Sequence, residues 1–393
     1  MRGWDAPTGG EESMLKARMA WLAGTAAIAA LIAGCDDEPR SRIADGCTVP
    51  EGTLPLVFTS AQRQLFGFID PPAIDPPYPA ILLLHDAGRT DITRGSGDHA
   101  ELRDVLRDAG IATVAWDAAG SGCSGGRYRG LADLYVRADD VLAAVAELSA
   151  HEEIDASRIG AWAAGEGAWV APMAAARGDV LDFLVLVGGP SGDPIEGVTH
   201  FARENLRREG YPAEEAEALA KRLGEALEMM RDQAPYRDFR AAVSPLSEHP
   251  LLPPMSEMGG DVYATERRYD ELRESAVLHV EPGVFLAALE IPVLAIWGEH
   301  DERVDRRRAE AVYREAFARA ANEDATTKVI EGADHALCDT RASGDRQSDP
   351  ARRSCSLAPG YVETLTSWLE RHGFTGSGER QTRVQQPAAR DEH

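Results

Sequence analysis

The chain carries little positive charge for its size. Its 41 lysine and arginine residues are outnumbered by 65 aspartate and glutamate residues, which gives a formal net charge of −24. A surface this acidic repels the phosphates of DNA and RNA, so we expect no nucleic-acid partner. Apolar residues are not scarce, since they make up 44% of the 393 residues. This content excludes a disordered or fibrous chain and predicts a globular protein.

The apolar run near the N-terminus, residues 19–32, is too short to span a bilayer comfortably. It follows Lys16 and Arg18, as the apolar region of a secretory signal follows its basic region. The run leads into Leu-Ile-Ala-Gly-Cys, ending at Cys35, which resembles a bacterial lipobox and implies cleavage before Cys35 and lipidation of that residue. An ordinary apolar leader with an incidental cysteine is the alternative.

Such a leader predicts where the protein is found. We expect an exported protein of the cell envelope that is lipid-anchored to a bacterial membrane and faces the periplasm or the exterior. The anchor is its only expected membrane contact. Residues 1–35 are then the signal peptide and residues 36–53 a linker, while the polar residues 373–393 are predicted to form a disordered tail.

Cysteine is scarce, with five residues in the chain, and no C-x-x-C pair or matching histidine spacing indicates a metal site. We predict neither a metal nor a cofactor. Beside Cys35, the four remaining cysteines allow two disulfides in three connectivities in an oxidising compartment. We favour a bridge between Cys338 and Cys355, because it would close the polar segment 339–354, which has no apolar anchor of its own.

Short apolar runs alternate with helical patterns along the rest of the chain. The runs have the length and composition of strands that are buried on both faces of a parallel sheet. They are Ala80 to Leu84, Ala112 to Trp116, Arg158 to Trp162, Phe183 to Val187, Val293 to Trp297 and Thr327 to Ile330. This alternation predicts an α/β fold with right-handed crossovers, in which ligands bind at the carboxyl ends of strands.

One stretch interrupts the alternation. Residues 191–289 have a helical and highly charged pattern that includes Met229, Met230, Met255 and Met258. We interpret this stretch as a helical cap inserted between two strands, with the core formed by residues 54–190 and 290–372. The cap is either a solvated decoration or a lid that shapes a ligand site.

The segment 158–177 predicts a strand, a tight turn and an alanine-rich helix. Its turn, Ala-Ala-Gly-Glu-Gly around Gly165, has the form of a nucleophile elbow, G-x-S-x-G, in which a strand-to-helix turn exposes one side chain at the edge of a sheet. Here the apex is a glycine, which has no oxygen with which to attack a carbonyl group.

Several motifs in the same order resemble the α/β-hydrolase superfamily, close to the serine aminopeptidase and dienelactone hydrolase-like branch, over residues 54–371. They are Leu-Leu-Leu-His-Asp-Ala-Gly at 82–88, Trp-Asp-Ala-Ala-Gly-Ser-Gly at 116–122, the elbow, Ala-Ile-Trp-Gly-Glu-His-Asp at 295–301 and Gly-Ala-Asp-His at 332–335. The resemblance implies an α/β-hydrolase fold, a mostly parallel sheet flanked by helices, with a helical cap insertion.

The resemblance also implies roles for individual residues. Asp301 matches the acid that orients the histidine, His335 matches the histidine, and Gly165 stands at the position of the nucleophile. The backbone amides of Ala87 and Glu166 match the oxyanion hole. A turn or capping role for Asp301 and an ordinary loop position for His335 are the alternatives.

Asp86 departs from the family pattern, because a glycine usually stands at this position after the third strand. Together with Glu166 it would place two carboxylates near a pocket that is meant for a developing oxyanion, which they would oppose. The alternative is that both side chains point to solvent.

Two classes of function therefore compete. The first is a degenerate hydrolase that no longer forms an acyl-enzyme and binds a small molecule or a partner in a capped pocket. The second is an active ester or amide hydrolase that uses His335 and Asp301 with water, or a substitute nucleophile such as Ser121, Cys123 or Ser124. A purely structural, ligand-free role is a third option, favoured if the cap methionines fill the pocket.

Overall fold

The structure is a computed structural model that describes residues 43, 46–86, 88–92, 99–128, 134–251, 265–274, 276–341 and 355–376. All of them belong to one compact unit. Several predictions concern residues outside these ranges. These are the leader with its lipidation site at Cys35, the amide of Ala87, the cap methionines Met255 and Met258, and the tail beyond Gly376.

Eight strands form one mixed sheet. They are β1 (Leu54–Ser60), β2 (Arg63–Asp70), β3 (Tyr78–Leu84), β4 (Ala112–Trp116), β5 (Ile154–Ala164), β6 (Phe183–Val187), β7 (Val293–Gly298) and β8 (Ala325–Ile330). Their order in the sheet is β1-β2-β4-β3-β5-β6-β7-β8. The pairs β1 with β2 and β2 with β4 are antiparallel, and all other neighbours are parallel.

The predicted α/β class with a mostly parallel sheet is confirmed. Each of the six predicted apolar runs lies in one of the strands β3 to β8. Every residue of β3, β4, β6 and β7 is buried, because two separate apolar clusters contain alternate residues of these strands. Burial on both faces explains why their sequences are almost continuously apolar.

The hairpin of β1 and β2 is missing from the sequence-based predictions, and its pattern explains why. In β1 buried residues alternate with exposed ones, so no continuous apolar run marks it. The two turn residues, Ala61 and Gln62, have φ values of 44° and 67°. Neither is the glycine, asparagine or aspartate that usually marks a hairpin turn with positive φ.

Helices cover the sheet and fill the predicted insertion. They are α1 (Ala100–Asp108), α2 (Leu134–Ser149), α3 (Gly167–Ala175), α4 (Pro194–Arg208), α5 (Ala213–Arg231), α6 (Tyr236–Val243), α7 (Glu266–Arg273), α8 (Pro282–Leu286), α9 (Arg306–Arg319) and α10 (Pro359–Arg371). Helices α4 to α8 lie between β6 and β7 in the chain, and Met230 on α5 is fully buried. None of the helices in the described ranges is both long and apolar enough to cross a bilayer.

Disulfides are present, as expected, and the structure contains the favoured pair. Cys338 and Cys355 are joined with their Cα atoms 5.3 Å apart, which fastens the loop after β8 to the segment that precedes α10. Cys47 and Cys123 are joined with Cα atoms 6.1 Å apart, which fastens the segment before β1 to the loop after β4. Both bridges therefore restrain loops that contain predicted site residues or their neighbours.

Candidate active site

Gly165 lies at the sharp turn between β5 and α3. Its φ is +51°, a conformation that glycine adopts without strain, and its N–H donates to the carbonyl of Val187 at 2.9 Å. Two residues on, a Cβ at Gly167 would lie 2.5 Å from the carbonyl oxygen of Leu84. Only glycine allows α3 to approach β3 so closely, and the segment therefore has the strand-turn-helix geometry of an elbow.

The carboxylate of Asp86 fills the space in front of Gly165. A Cβ on Gly165 would overlap Oδ1 and Cγ of Asp86 and would lie 2.8 Å from its Oδ2. The amide N–H of Glu166 donates to Oδ1 of Asp86 at 2.8 Å. That amide is one of the two that the resemblance assigns to an oxyanion hole. A carboxylate oxygen of the chain itself therefore accepts the hydrogen bond that a reacting substrate oxygen would accept.

His335 and Asp301 meet as the resemblance implies. Nδ1 of His335 donates to Oδ2 of Asp301 at 2.8 Å, and the Asp301 side chain is fully buried. Its Oδ1 accepts from the N–H groups of Arg303 and Val304 at 2.9 and 3.0 Å. The His335 ring also packs so closely on Gly188 that a Cβ there would lie 2.7 Å from Cε1. The ring is thus fixed by one carboxylate and one glycine.

Arg303 is a site residue that sequence reasoning missed. Its Nη1 lies 3.0 Å from Oδ2 of Asp86, and its guanidinium also covers the ring of Phe201 on α4 at 5.4 Å. Nε2 of His335 lies 3.8 Å from the same Oδ2 of Asp86. The sequence signal that could have found it is indirect. A partly buried Asp86 needs a cation nearby, and Arg303 follows Asp301 by two residues.

These contacts perturb both titrating groups. Burial alone would raise the pKa of Asp86, but His335, Arg303 and the Glu166 amide together hold it well below its usual range. Burial alone would lower the pKa of His335, but Asp301 and Asp86 raise it to about 9. At neutral pH the site therefore contains an imidazolium between two carboxylates, and the histidine has no free electron pair with which to accept a proton.

Glu166 does not share the oxyanion position. Its side chain is buried and forms an ion pair with Arg137 on α2, and Nη2 of Arg137 also donates to the carbonyl of His85 at 2.8 Å. The alternative that Asp86 and Glu166 both point to solvent is wrong. Arg137 compensates the charge of Glu166 in the protein interior, whereas Arg303 and His335 compensate that of Asp86.

The proposed substitute nucleophiles are poorly suited to attack. Cys123 is bound to Cys47 in a disulfide, so its sulfur is not a free thiol. The hydroxyl of Ser124 is buried, donates to the carbonyl of Asp117 at 2.7 Å and accepts from the N–H of Phe66 at 2.9 Å. The interpretation of Cys123 as a nucleophile is therefore wrong. Ser121 is 95% buried, which leaves little room for a substrate to reach its hydroxyl.

A small cavity of about 40 Å³ lies beside the loop that carries Asp86. Its wall includes His85, Arg137 and Asp140. Burial lowers the pKa of His85 to about 3 and raises that of Asp140 to about 6. The volume is enough for only a few water molecules.

In the described part of the chain, no group of three or more histidine, cysteine or acidic side chains is arranged to hold a metal ion.

Known proteins share this architecture, although no protein-family model matches the chain. The structure of DcsB in complex with its substrate analogue has a TM-score of 0.52 and 16% identity, covering 83% of this chain and 100% of that one. The Pyrococcus furiosus esterase PF2001 has a TM-score of 0.51 and 17% identity, covering 86% and 99%. The chain has the α/β-hydrolase fold. At identities this low, the likeness shows the fold and assigns no activity.

A curated relative matches over a shorter stretch. The uncharacterized protein YcjY of Escherichia coli strain K12 is 35% identical over 100 residues, which cover 25% of this chain and 31% of that protein. Because the match spans only about a third of that relative, it adds no assignment of activity to the α/β-hydrolase fold.

The raised pKa of His335 predicts a pH-dependent stability. The contribution of His335 is complete below its ordinary pKa of 6.5 and is lost as the pH rises through about 9. The free energy of unfolding of the wild type should therefore fall, relative to that of His335→Gln, by roughly 3 kcal/mol across this range. Urea denaturation at a series of pH values measures it. His279→Gln, the same substitution at an exposed histidine, is the matched variant for comparison. A difference between the wild type and His335→Gln that stays constant with pH would refute the prediction.

Proposed function

We propose that the protein is a degenerate α/β-hydrolase that does not form an acyl-enzyme and that binds a small molecule or a partner in the region under its helical insertion. One observation carries this proposal. The Asp86 carboxylate fills the space that a nucleophile side chain at position 165 would need. It also accepts the hydrogen bond of the Glu166 amide, which the resemblance assigns to the oxyanion hole. A substrate carbonyl therefore meets neither an attacking oxygen nor a free amide donor at Glu166.

The alternative of slow hydrolysis through the His335 and Asp301 pair receives little support. A general base must accept a proton, and Asp86 and Asp301 keep His335 protonated at neutral pH. Asp86 would in addition repel the negative charge that develops on a reacting carbonyl oxygen.

The site should become reactive only when Asp86 and Gly165 change together. In Gly165→Ser alone, the serine competes with Asp86 for one space, so we expect neither labelling by a fluorophosphonate probe nor turnover of a nitrophenyl ester. Gly165→Ser with Asp86→Gly frees the space and the Glu166 amide, and it removes one of the two carboxylates that raise the pKa of His335. We expect labelling by the probe, and ester hydrolysis on the order of 100-fold above the background rate measured with the single variant.

Adding His335→Ala to the double variant is the control, and it should abolish the hydrolysis. Labelling of the wild type at any serine would overturn the proposal. So would a Gly165→Ser variant as reactive as the double variant, because Asp86 would then not obstruct the site.

We also propose that the protein is an envelope lipoprotein anchored through Cys35. The lipobox-like end of the leader supports this, and the disulfides of the folded part suit an oxidising compartment. We propose that the anchor is its only membrane contact.

The anchor has a direct test in bacterial cells that express the full sequence. The mature protein should begin at Cys35, carry a lipid mass on that residue and sediment with membranes. Cys35→Ala should lose the lipid mass and leave the membrane fraction. The matched control is Cys47→Ser with Cys123→Ser, which removes two cysteines but should keep the lipid. An unmodified wild-type N-terminus would refute the anchor.

A further inference from the structure

Three groups from separate parts of the chain converge on Asp86. They are the amide N–H of Glu166 at the start of α3, the guanidinium of Arg303 after β7 and the imidazolium of His335 after β8. We call these three groups the carboxylate cradle. Glu166 and Arg303 contact different oxygens of Asp86, and His335 lies on the side of Arg303. The cradle therefore contacts both oxygens of a planar carboxylate.

The composition of the cradle differs from that of an oxyanion hole. An oxyanion hole offers neutral amides to a transient charge, whereas this cradle adds a permanent guanidinium. The start of α3 also favours an anion, because the first N–H groups of a helix point outward with a partial positive charge. These features suit a stable anionic ligand rather than the transient anion of a reaction.

The charge balance identifies which anion fits. Without Asp86, the cradle would contain two cations, Arg303 and protonated His335, and the buried Asp301 would neutralise one of them. One positive charge would remain unpaired in a partly buried site, which is unfavourable until an anion replaces the lost carboxylate. The space that Asp86 would vacate and the single unpaired positive charge both match a carboxylate monoanion.

We infer that the carboxylate cradle is a binding site for the carboxylate group of a ligand, and that Asp86 occupies it until such a ligand displaces it. This inference rests on the proposed function, since a site that still formed an acyl-enzyme would need the Glu166 amide for the reaction. Asp86 is 28% exposed, so its side chain has a solvent-facing side toward which it can turn.

Competition with Asp86 limits the affinity of the carboxylate cradle for a ligand carboxylate. A tethered carboxylate has a high effective concentration at the cradle, so a simple carboxylate binds the wild type weakly. A natural ligand must therefore contribute further contacts beyond its carboxylate. Phe201, which lies against Arg303, is an apolar surface at the required place.

Removal of Asp86 should expose the cradle to acetate. In the full chain with Asp86→Gly, we expect acetate to bind in a saturable manner, with a Kd at least about tenfold lower than in the wild type. The thermal midpoint should rise with acetate, because a ligand that binds only the folded state stabilises it. Sodium chloride at equal ionic strength corrects for general salt effects.

Asp86→Asn is the matched control. Asparagine has the size of aspartate and remains as a neutral occupant, so this variant should respond to acetate no more than the wild type does. In the Asp86→Gly background, Arg303→Ala should remove most of the acetate response. Asp86→Ala replaces Asp86→Gly if the glycine variant does not give a native circular dichroism spectrum.

An Asp86→Gly protein that is folded but responds to acetate no more than to chloride overturns the inference. An unchanged acetate response after Arg303→Ala overturns it as well. Either result leaves the proposed function intact if the wild type remains unlabelled by the fluorophosphonate probe. A labelled wild type overturns the proposed function whatever acetate does.

Discussion

A side chain at position 165 and the carboxylate of Asp86 compete for the same space. Asp86 occupies it, and its Oδ1 accepts the hydrogen bond of the Glu166 amide. Because a partly buried carboxylate is unfavourable unless its charge is compensated, the neighbouring groups are constrained as well. Arg303 and protonated His335 supply that compensation. Glycine at 165, aspartate at 86 and a cationic histidine at 335 are thus parts of one arrangement.

In the proposed function, the His335 and Asp301 pair has a role that does not need acyl transfer. In a serine hydrolase the acid orients a neutral histidine that accepts a proton. Here Asp301 holds a charged histidine next to a second carboxylate. As proposed, Asp301 keeps His335 protonated, and the His335 imidazolium helps to hold Asp86 in place. The site then resembles a hydrolase with a carboxylic acid product bound, except that the carboxylate belongs to the chain.

Much of the fold could be predicted because its physical causes are local. Strands buried on both faces need apolar residues throughout, and β3, β4, β6 and β7 show this in their sequences. The β1 and β2 hairpin could not be found in this way, since one face of β1 is exposed and the turn between the two strands uses Ala61 and Gln62. The motifs also predicted that Asp301 and His335 would meet.

The orientation of the two acidic residues could not be predicted, because each depends on a partner distant in sequence. Asp86 faces Gly165 with the help of Arg303, which is more than 200 residues away, and Glu166 turns toward Arg137. In the resemblance, Asp86 stands where a glycine is usual and Gly165 where a serine is usual. In the sequence these are two separate departures, and only the contact between Asp86 and Gly165 shows that one accommodates the other.

A double-mutant cycle between positions 86 and 165 tests this contact most directly, because it requires neither a substrate nor a ligand. Gly165→Ala adds one methyl group, and any strain at its positive φ is the same in both backgrounds and cancels. If Asp86 fills the space, the alanine destabilises the wild type by at least about 1 kcal/mol more than it destabilises Asp86→Gly, as measured by urea denaturation. Equal destabilisation in the two backgrounds would show that Asp86 does not occupy the space in front of Gly165, and would contradict the account.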